Sequence, residues 1–204
     1  MKQLLVAFLL LYPMSIYADG GALEEVLAHI RRSAPARFEY QEVRTLELAD
    51  APVHTAGYML TDTEGTLVKL QQQPSRVIMA IAGDSMFYWD PVLKQRHRAP
   101  LAYGGAAAQQ ITVFRALLQG RIGELQAAYD MTAETHDQHW TLRLTPKSED
   151  QPVMEITGSA DDGERNIQVR QSDGEASAYR IVKMADSADP QPAIAELLRE
   201  AAGE

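Results

Sequence analysis

A chain of 204 residues with a formal net charge of −9 and no cysteine excludes several classes at once. Without cysteine there is no disulfide framework, no thiolate nucleophile, no Cys-ligated metal and no lipid anchor on an N-terminal Cys. The acidic balance argues against nucleic acid and favours solubility.

The first eighteen residues read as an export signal. Lys2 supplies the positive end, Leu4 to Leu11 the apolar run and Pro13 a break. Ser15-Ile16-Tyr17-Ala18 places small residues where a signal peptidase reads, so cleavage is expected near Ala18. The apolar run is too short for a bilayer, and nothing later approaches the roughly 20 apolar residues of a membrane helix. Residues 19–204 are then enough for one domain with a real core, but hardly for two.

Ala22 to Ser33 carries Leu23, Val26, Leu27 and Ile30 at helical spacing and ends in Arg31-Arg32, an amphipathic helix that Pro35 stops. From Phe38 the period changes to two. Phe38, Tyr40, Leu46 and Leu48 share one face, with Glu39, Gln41, Val43 and Thr45 on the other, until Ala49-Asp50-Ala51-Pro52 turns the chain. Short β-rich runs follow at 53–61, 66–72, 76–82, 86–89 and 94–98. Their separators, including Gln73-Pro74-Ser75, Gly83-Asp84 and Asp90-Pro91, suit hairpins, so an antiparallel meander is predicted. In the run 86–89, Met86 and Tyr88 point to one side and Phe87 and Trp89 to the other, so both faces need apolar cover.

A helix over 106–118 follows, with Ile111, Phe114, Leu117 and Leu118 on one stripe and Gly120 as its stop; a shorter helical turn covers 122–126. Strands resume at 129–135, 140–145, 153–157, 166–171 and 178–182, with hairpin turns at Asp161-Asp162-Gly163 and Ser172-Asp173-Gly174-Glu175. Residues 190–202 read as a loosely held, partly amphipathic final helix. Ten or eleven antiparallel strands around an apolar helix predict a mainly β fold, a strongly curved, incompletely closed sheet with helices on its concave side.

No catalytic set emerges from the sequence. His136 and His139 form a His-x-x-His across a polar hairpin with no third ligand, so they read as a surface turn and no metal or cofactor is expected. Ser85 lacks a Gly-x-Ser-x-Gly elbow and a base, and Gly104-Gly105 lacks the Lys-Ser or Lys-Thr of a phosphate loop. Lys94, Arg96 and Arg98 alternate along one strand face, which suits a charged edge strand.

Several short motifs carry a family likeness in their order and spacing. They are Phe38 with Gln41-Glu42 and Arg44-x-Leu46-x-Leu48, Pro52-Val53, Gly57-x-Met59, Gln73-Pro74, and Gly83-Asp84-x-Met86-Phe87-Tyr88-x-Asp90-Pro91. They continue with Leu118-x-Gly120, Leu125, Tyr129, Trp140-x-Leu142-x-Leu144-x-Pro146 and Asp173-Gly174-x-x-Ser177. Over nearly all of residues 19–204 the chain resembles the LolA and LolA-like periplasmic outer-membrane lipoprotein carriers. The resemblance implies an incomplete, strongly curved antiparallel barrel lidded by helices. It also implies a periplasmic location and a role in carrying acyl chains of lipoproteins, or other lipid-like cargo, from an inner-membrane donor to an outer-membrane acceptor. The Arg-Pro pair that the family uses to hold its lid is replaced here by Thr63-Glu64.

On this reading the cavity candidates are Phe38, Tyr40, Met59, Val68, Leu70, Ile78, Met86, Tyr88, Phe114, Leu117, Leu118, Trp140, Leu142 and Leu144. Burying long acyl chains gives a carrier its purpose, at about 0.8 kcal/mol per CH₂ kept from water. A monomer suits a shuttle. The alternative reading is a periplasmic module that senses lipid or lipoprotein and carries nothing. A lipid-modifying enzyme ranks behind both for want of catalytic groups.

Overall fold

The computed structural model describes residues 20–31, 35–46, 50–149, 151–159, 163–171, 174–185 and 189–204, with the backbone alone for 105–110. The cleavage point near Ala18, the Arg32-Ser33 helix end, Leu48, Ala49 and the turn residues Asp161-Asp162 and Ser172-Asp173 lie outside them.

Helix α1 (Gly20–Arg31) precedes a meander of six strands: β1 (Ala36–Thr45), β2 (Val53–Thr61), β3 (Leu67–Gln73), β4 (Val77–Ala82), β5 (Ser85–Asp90) and β6 (Gln95–Pro100). A 3-10 turn (Leu101–Tyr103) leads into α2 (Gly105–Gln119) and α3 (Ile122–Ala128). The second meander is β7 (Tyr129–His136), β8 (His139–Pro146), β9 (Val153–Ser159), β10 (Glu164–Arg170) and β11 (Ala176–Lys183), followed by α4 (Gln191–Ala202).

All eleven strands form one sheet in the order β6-β5-β4-β3-β2-β1-β11-β10-β9-β8-β7. The two meanders meet where β1 pairs with β11, in register from Phe38 opposite Lys183 to Thr45 opposite Ala176. Strands β6 and β7 are the two edges, so the sheet is not closed into a barrel. That order fixes the path of α2 and α3. They connect one edge to the other, and so they lie across a face of the sheet.

Each face has its own apolar core. On the concave face, α1, α2 and α3 pack against alternate residues of β1 to β4 and β7 to β11, among them Ala36, Phe38, Tyr40, Met59, Leu67, Ile81, Leu142, Leu144, Ile156 and Ile181. The spacing of two drives this: along β1, Ala36, Phe38, Tyr40 and Glu42 are buried while Glu39, Gln41 and Val43 are exposed. On the opposite face, Leu60, Val68, Ile78, Ala80 and Phe87 pack beneath Ile194, Leu197 and Ala201 of α4.

Two sequence expectations change here. Helix α4 lies on the face opposite the other helices and is firmly pinned. Arg76 grips the Glu200 carboxylate through both terminal nitrogens, with Nη2 at 2.7 Å from Oε2, and Arg96 donates to the Glu200 carbonyl at 3.2 Å. Gly203, at φ 84°, caps the helix by donating to the Arg199 carbonyl. Lys94 does not share the strand face of Arg96 and Arg98: it sits in the preceding turn with φ 54°, while Arg96 and Arg98 lie over the rings of Trp89 and Phe87 at 3.9 and 5.1 Å. Their edge strand is therefore covered by guanidinium stacking as well as charge.

Candidate functional site

The concave face and the three helices above it enclose the apolar interior. Phe38, Tyr40, Met59, Phe114, Leu117, Leu118, Trp140, Leu142 and Leu144 all meet there, each at most 5% exposed. Met86 and Tyr88, opposite Ile81 and Met79 in the β4–β5 ladder, share that face and are half-buried. Val68, Leu70 and Ile78 stand on the other face, against α4. Strands β3 and β4 are apolar on both sides because helices cover both, so alternation alone leaves their phase open.

Trp140 is set by its neighbour across the ladder. Its opposite number in β9 is Gly158, where an added Cβ would come 2.3 Å from the indole ring. The glycine is thus the space the indole occupies. Phe114 of α2 meets Tyr179 of β11 edge to face at 4.7 Å between centroids, joining helix to sheet at the centre of the interior.

A charged group lies within this apolar face. Glu42 of β1 is flanked in the ladder by Thr55 of β2 and Tyr179 of β11. Its Oε2 accepts from Lys69 Nζ at 2.6 Å and from the Thr55 hydroxyl at 3.0 Å; its Oε1 accepts from the Tyr179 hydroxyl at 2.7 Å and from Arg44 Nη2 at 2.9 Å. Burial alone would push the Glu42 carboxyl up, but the Lys69 ammonium and the other donors outweigh it and hold the group at about 2. Burial pushes Lys69 down against the pull of Glu42, and it pushes the Tyr179 phenol well up, reinforced by the carboxylate. Sequence reasoning missed this network, although the alternation that groups Phe38 with Tyr40 also puts Glu42 on their face.

Helix α2 is held over the interior at its C-terminal end. Arg165 of β10, itself buried, donates to the Leu117 carbonyl at 2.9 Å, satisfying one of the free carbonyls that end α2. Gln119 donates to the Thr66 carbonyl at 2.8 Å, and Gly120, at φ 70°, stops the helix. Arg121 lies against the β2–β3 turn, where a Cβ on Gly65 would come 2.7 Å from its guanidinium. That turn contains Thr63-Glu64 and is shaped by Asp62, whose Oδ1 accepts from the amides of Glu64 and Thr66 at 2.9 and 2.7 Å. The helix-to-turn attachment is therefore made from the helix side, by Gln119 and Arg121.

A cleft of about 280 Å³ opens at the rim, between the 3-10 turn, α2, α3 and the start of β7. Leu101, Val113, Ala116, Leu125 and Tyr129 line it. Burial pushes the Tyr129 phenol up to about 12, and its hydroxyl has no hydrogen-bond partner among the described residues. No cluster of three metal-ligating side chains occurs among the described residues. His136 and His139 face each other across an exposed hairpin. No described helix is long and apolar enough to cross a membrane.

Comparison with known proteins adds a family. The family model described as outer membrane lipoprotein carrier protein LolA-like matches residues 18–197. No curated protein matches the chain. Among solved structures, a LolA superfamily protein from Nitrosomonas europaea aligns at 13% identity and a TM-score of 0.44, over 84% of this chain and 95% of its own. A domain named for outer membrane lipoprotein sorting, from Vibrio parahaemolyticus, aligns at 10% identity and a TM-score of 0.46, over 88% and 99%.

Proposed function

The chain belongs to the LolA-like outer membrane lipoprotein carrier family, and from that premise we propose that it is a soluble periplasmic carrier of acyl chains. It takes the chains of lipoproteins, or of another lipid-like molecule, into the interior between the concave face and α1 to α3, and moves them from the inner to the outer membrane. It performs no catalysis.

The observation that carries this reading is the makeup of the interior. One wall is a sheet of aliphatic and aromatic side chains, and the facing wall consists of helices attached to it by a few hydrogen bonds. A core covered that way is able to open without unpairing a strand. Size also bears on mechanism. Pockets that bury a drug-sized ligand run from roughly 300 to 1,000 Å³, so the rim cleft of about 280 Å³ admits part of one chain. Full loading requires α2 and α3 to move outward, with cargo replacing the contacts of Phe114, Leu117 and Leu118 on the sheet.

The test is to purify the exported protein from its periplasm and analyse the extracted lipid by mass spectrometry, alongside uptake of a fluorescent fatty acid. Bound acylated molecules and saturable uptake are expected. Lipid-free protein with no uptake overturns the carrier reading and favours a sensing module.

A further inference from the structure

We propose that the tip of the β5–β6 hairpin is a membrane-contact element, which places Val92 and Leu93 shallowly into a lipid surface bearing anionic head groups. The inference concerns the outside of the molecule and does not depend on what the interior carries.

Val92 and Leu93 are 70% and 62% exposed, two adjacent aliphatic side chains in the turn between β5 and β6. The turn that presents them is built. Asp90, buried beneath it, accepts from the amides of both Val92 and Leu93 on Oδ1 at 2.9 Å, and Lys94 closes the turn at φ 54°. Fixing both amides fixes the backbone, so the two side chains are held out in water rather than left there by a loose loop.

Charge identifies the partner. In a chain of net charge −9, the residues that follow the tip include Lys94, Arg96 and Arg98, all exposed. Asp90 is turned to its own amides and the Glu200 carboxylate is taken by Arg76, while Arg96 lies against Gly203 beside Glu204, so Lys94 and Arg98 are the cations that face the lipid. Apolar side chains flanked by basic ones match the boundary between acyl chains and anionic head groups. A protein partner fits less well, since a specific interface needs about 800 Å² on each side with good complementarity, whereas a bilayer needs no complementary shape.

The experiment is co-sedimentation of the full exported chain with phosphatidylcholine vesicles made with and without phosphatidylglycerol, at low and high salt. The parent is expected to sediment with the phosphatidylglycerol vesicles only, and less so in high salt. The V92D/L93D double variant, with an unchanged thermal melt, is expected to bind them about fivefold less or weaker still. Lys94→Glu should weaken binding as well. No sedimentation of the parent, equal binding to both vesicle types, or V92D/L93D binding like the parent overturns the proposal. Recruitment that appears only when a membrane protein is added overturns it in favour of a protein partner.

Discussion

The Lys69 ammonium lies 2.6 Å from the Glu42 carboxylate and 4.8 and 5.1 Å from the ring centres of Tyr40 and Tyr179, a charged pair beside two aromatic rings on a mainly apolar face. Such a pair adds little net stability over apolar residues of the same size, yet it is costly to break. With the Thr55 and Tyr179 hydroxyls on the same carboxylate, the network spans β1, β2, β3 and β11, and so it ties the two meanders at their junction. Lys69→Met is expected to cost about 3–5 kcal/mol, because the buried carboxylate loses its nearer cation and keeps only Arg44, whose side chain is half-exposed. E42L/K69M is expected to recover most of that loss, read as the midpoint of urea denaturation. A double variant no more stable than the single one contradicts this account.

The same carboxylate sets an acid limit. Its pKa is about 2 in the folded chain against an ordinary 4.5. A depressed carboxylate contributes stability that is complete above its unfolded value and is lost as pH falls through the folded one. The stability of the parent relative to Glu42→Gln should therefore shrink as pH drops from about 4.5 towards 2, measured by denaturant midpoints at each pH. A difference that stays constant across that window refutes it.

Arg165 and Gln119 hold the C-terminal end of α2. Hydrogen bonds from a charged donor contribute about 1.5–3 kcal/mol, so Arg165→Met should loosen the helix more than Gln119→Ala. Amides of residues 111–119 are expected to exchange faster in Arg165→Met while those of β1 and β11 keep their protection. Uptake of a fluorescent fatty acid should also quicken. Uniformly faster exchange throughout the chain would mean global destabilisation and not an opened helix.

The two faces should separate in function. Ile78→Ala, under α4, is expected to lose about 2–5 kcal/mol of stability with the affinity for a fluorescent fatty acid unchanged. Tyr88→Asp, on the concave face and half-buried, should cost less stability and cut uptake strongly. Equal effects of the two on uptake place the cargo elsewhere.

Gly158 offers an optical check. A side chain there meets the indole of Trp140, and Gly158→Val should cost about 1–3 kcal/mol through overpacking. Because Trp89 lies on the opposite face, a red shift in emission that survives a Trp89→Phe background reports displacement of Trp140 alone. An unshifted spectrum means the indole does not rest on that glycine.

Much of this fold was legible in one dimension. Gly83-Asp84, Asp90-Pro91 and Gly120 fall where elements stop, and the switch from a period of 3.6 to one of two marks β1 correctly. What resisted was phase and distance. Val68, Leu70 and Ile78 are as apolar as Leu67 and Ile81, and only the positions of the helices tell which set faces inward. Alternation puts Glu42 on the inward face, but its cation Lys69 lies 27 residues away in the chain, so the pair has no local signature. The attachment of Arg121 to the β2–β3 turn likewise has no local signature, since it depends on the path of α2 across the sheet.

That path has a mechanical corollary. Residues 101–128 are the strap that runs between the unpaired edges β6 and β7. Its length is fixed by covalent bonds, so raising the helices and spreading the rim draw on the same slack. On the proposed carrier reading, the girth of a guest is bounded by the stretch from Pro100 to Tyr129, a girdle that joins the two edges of the open sheet.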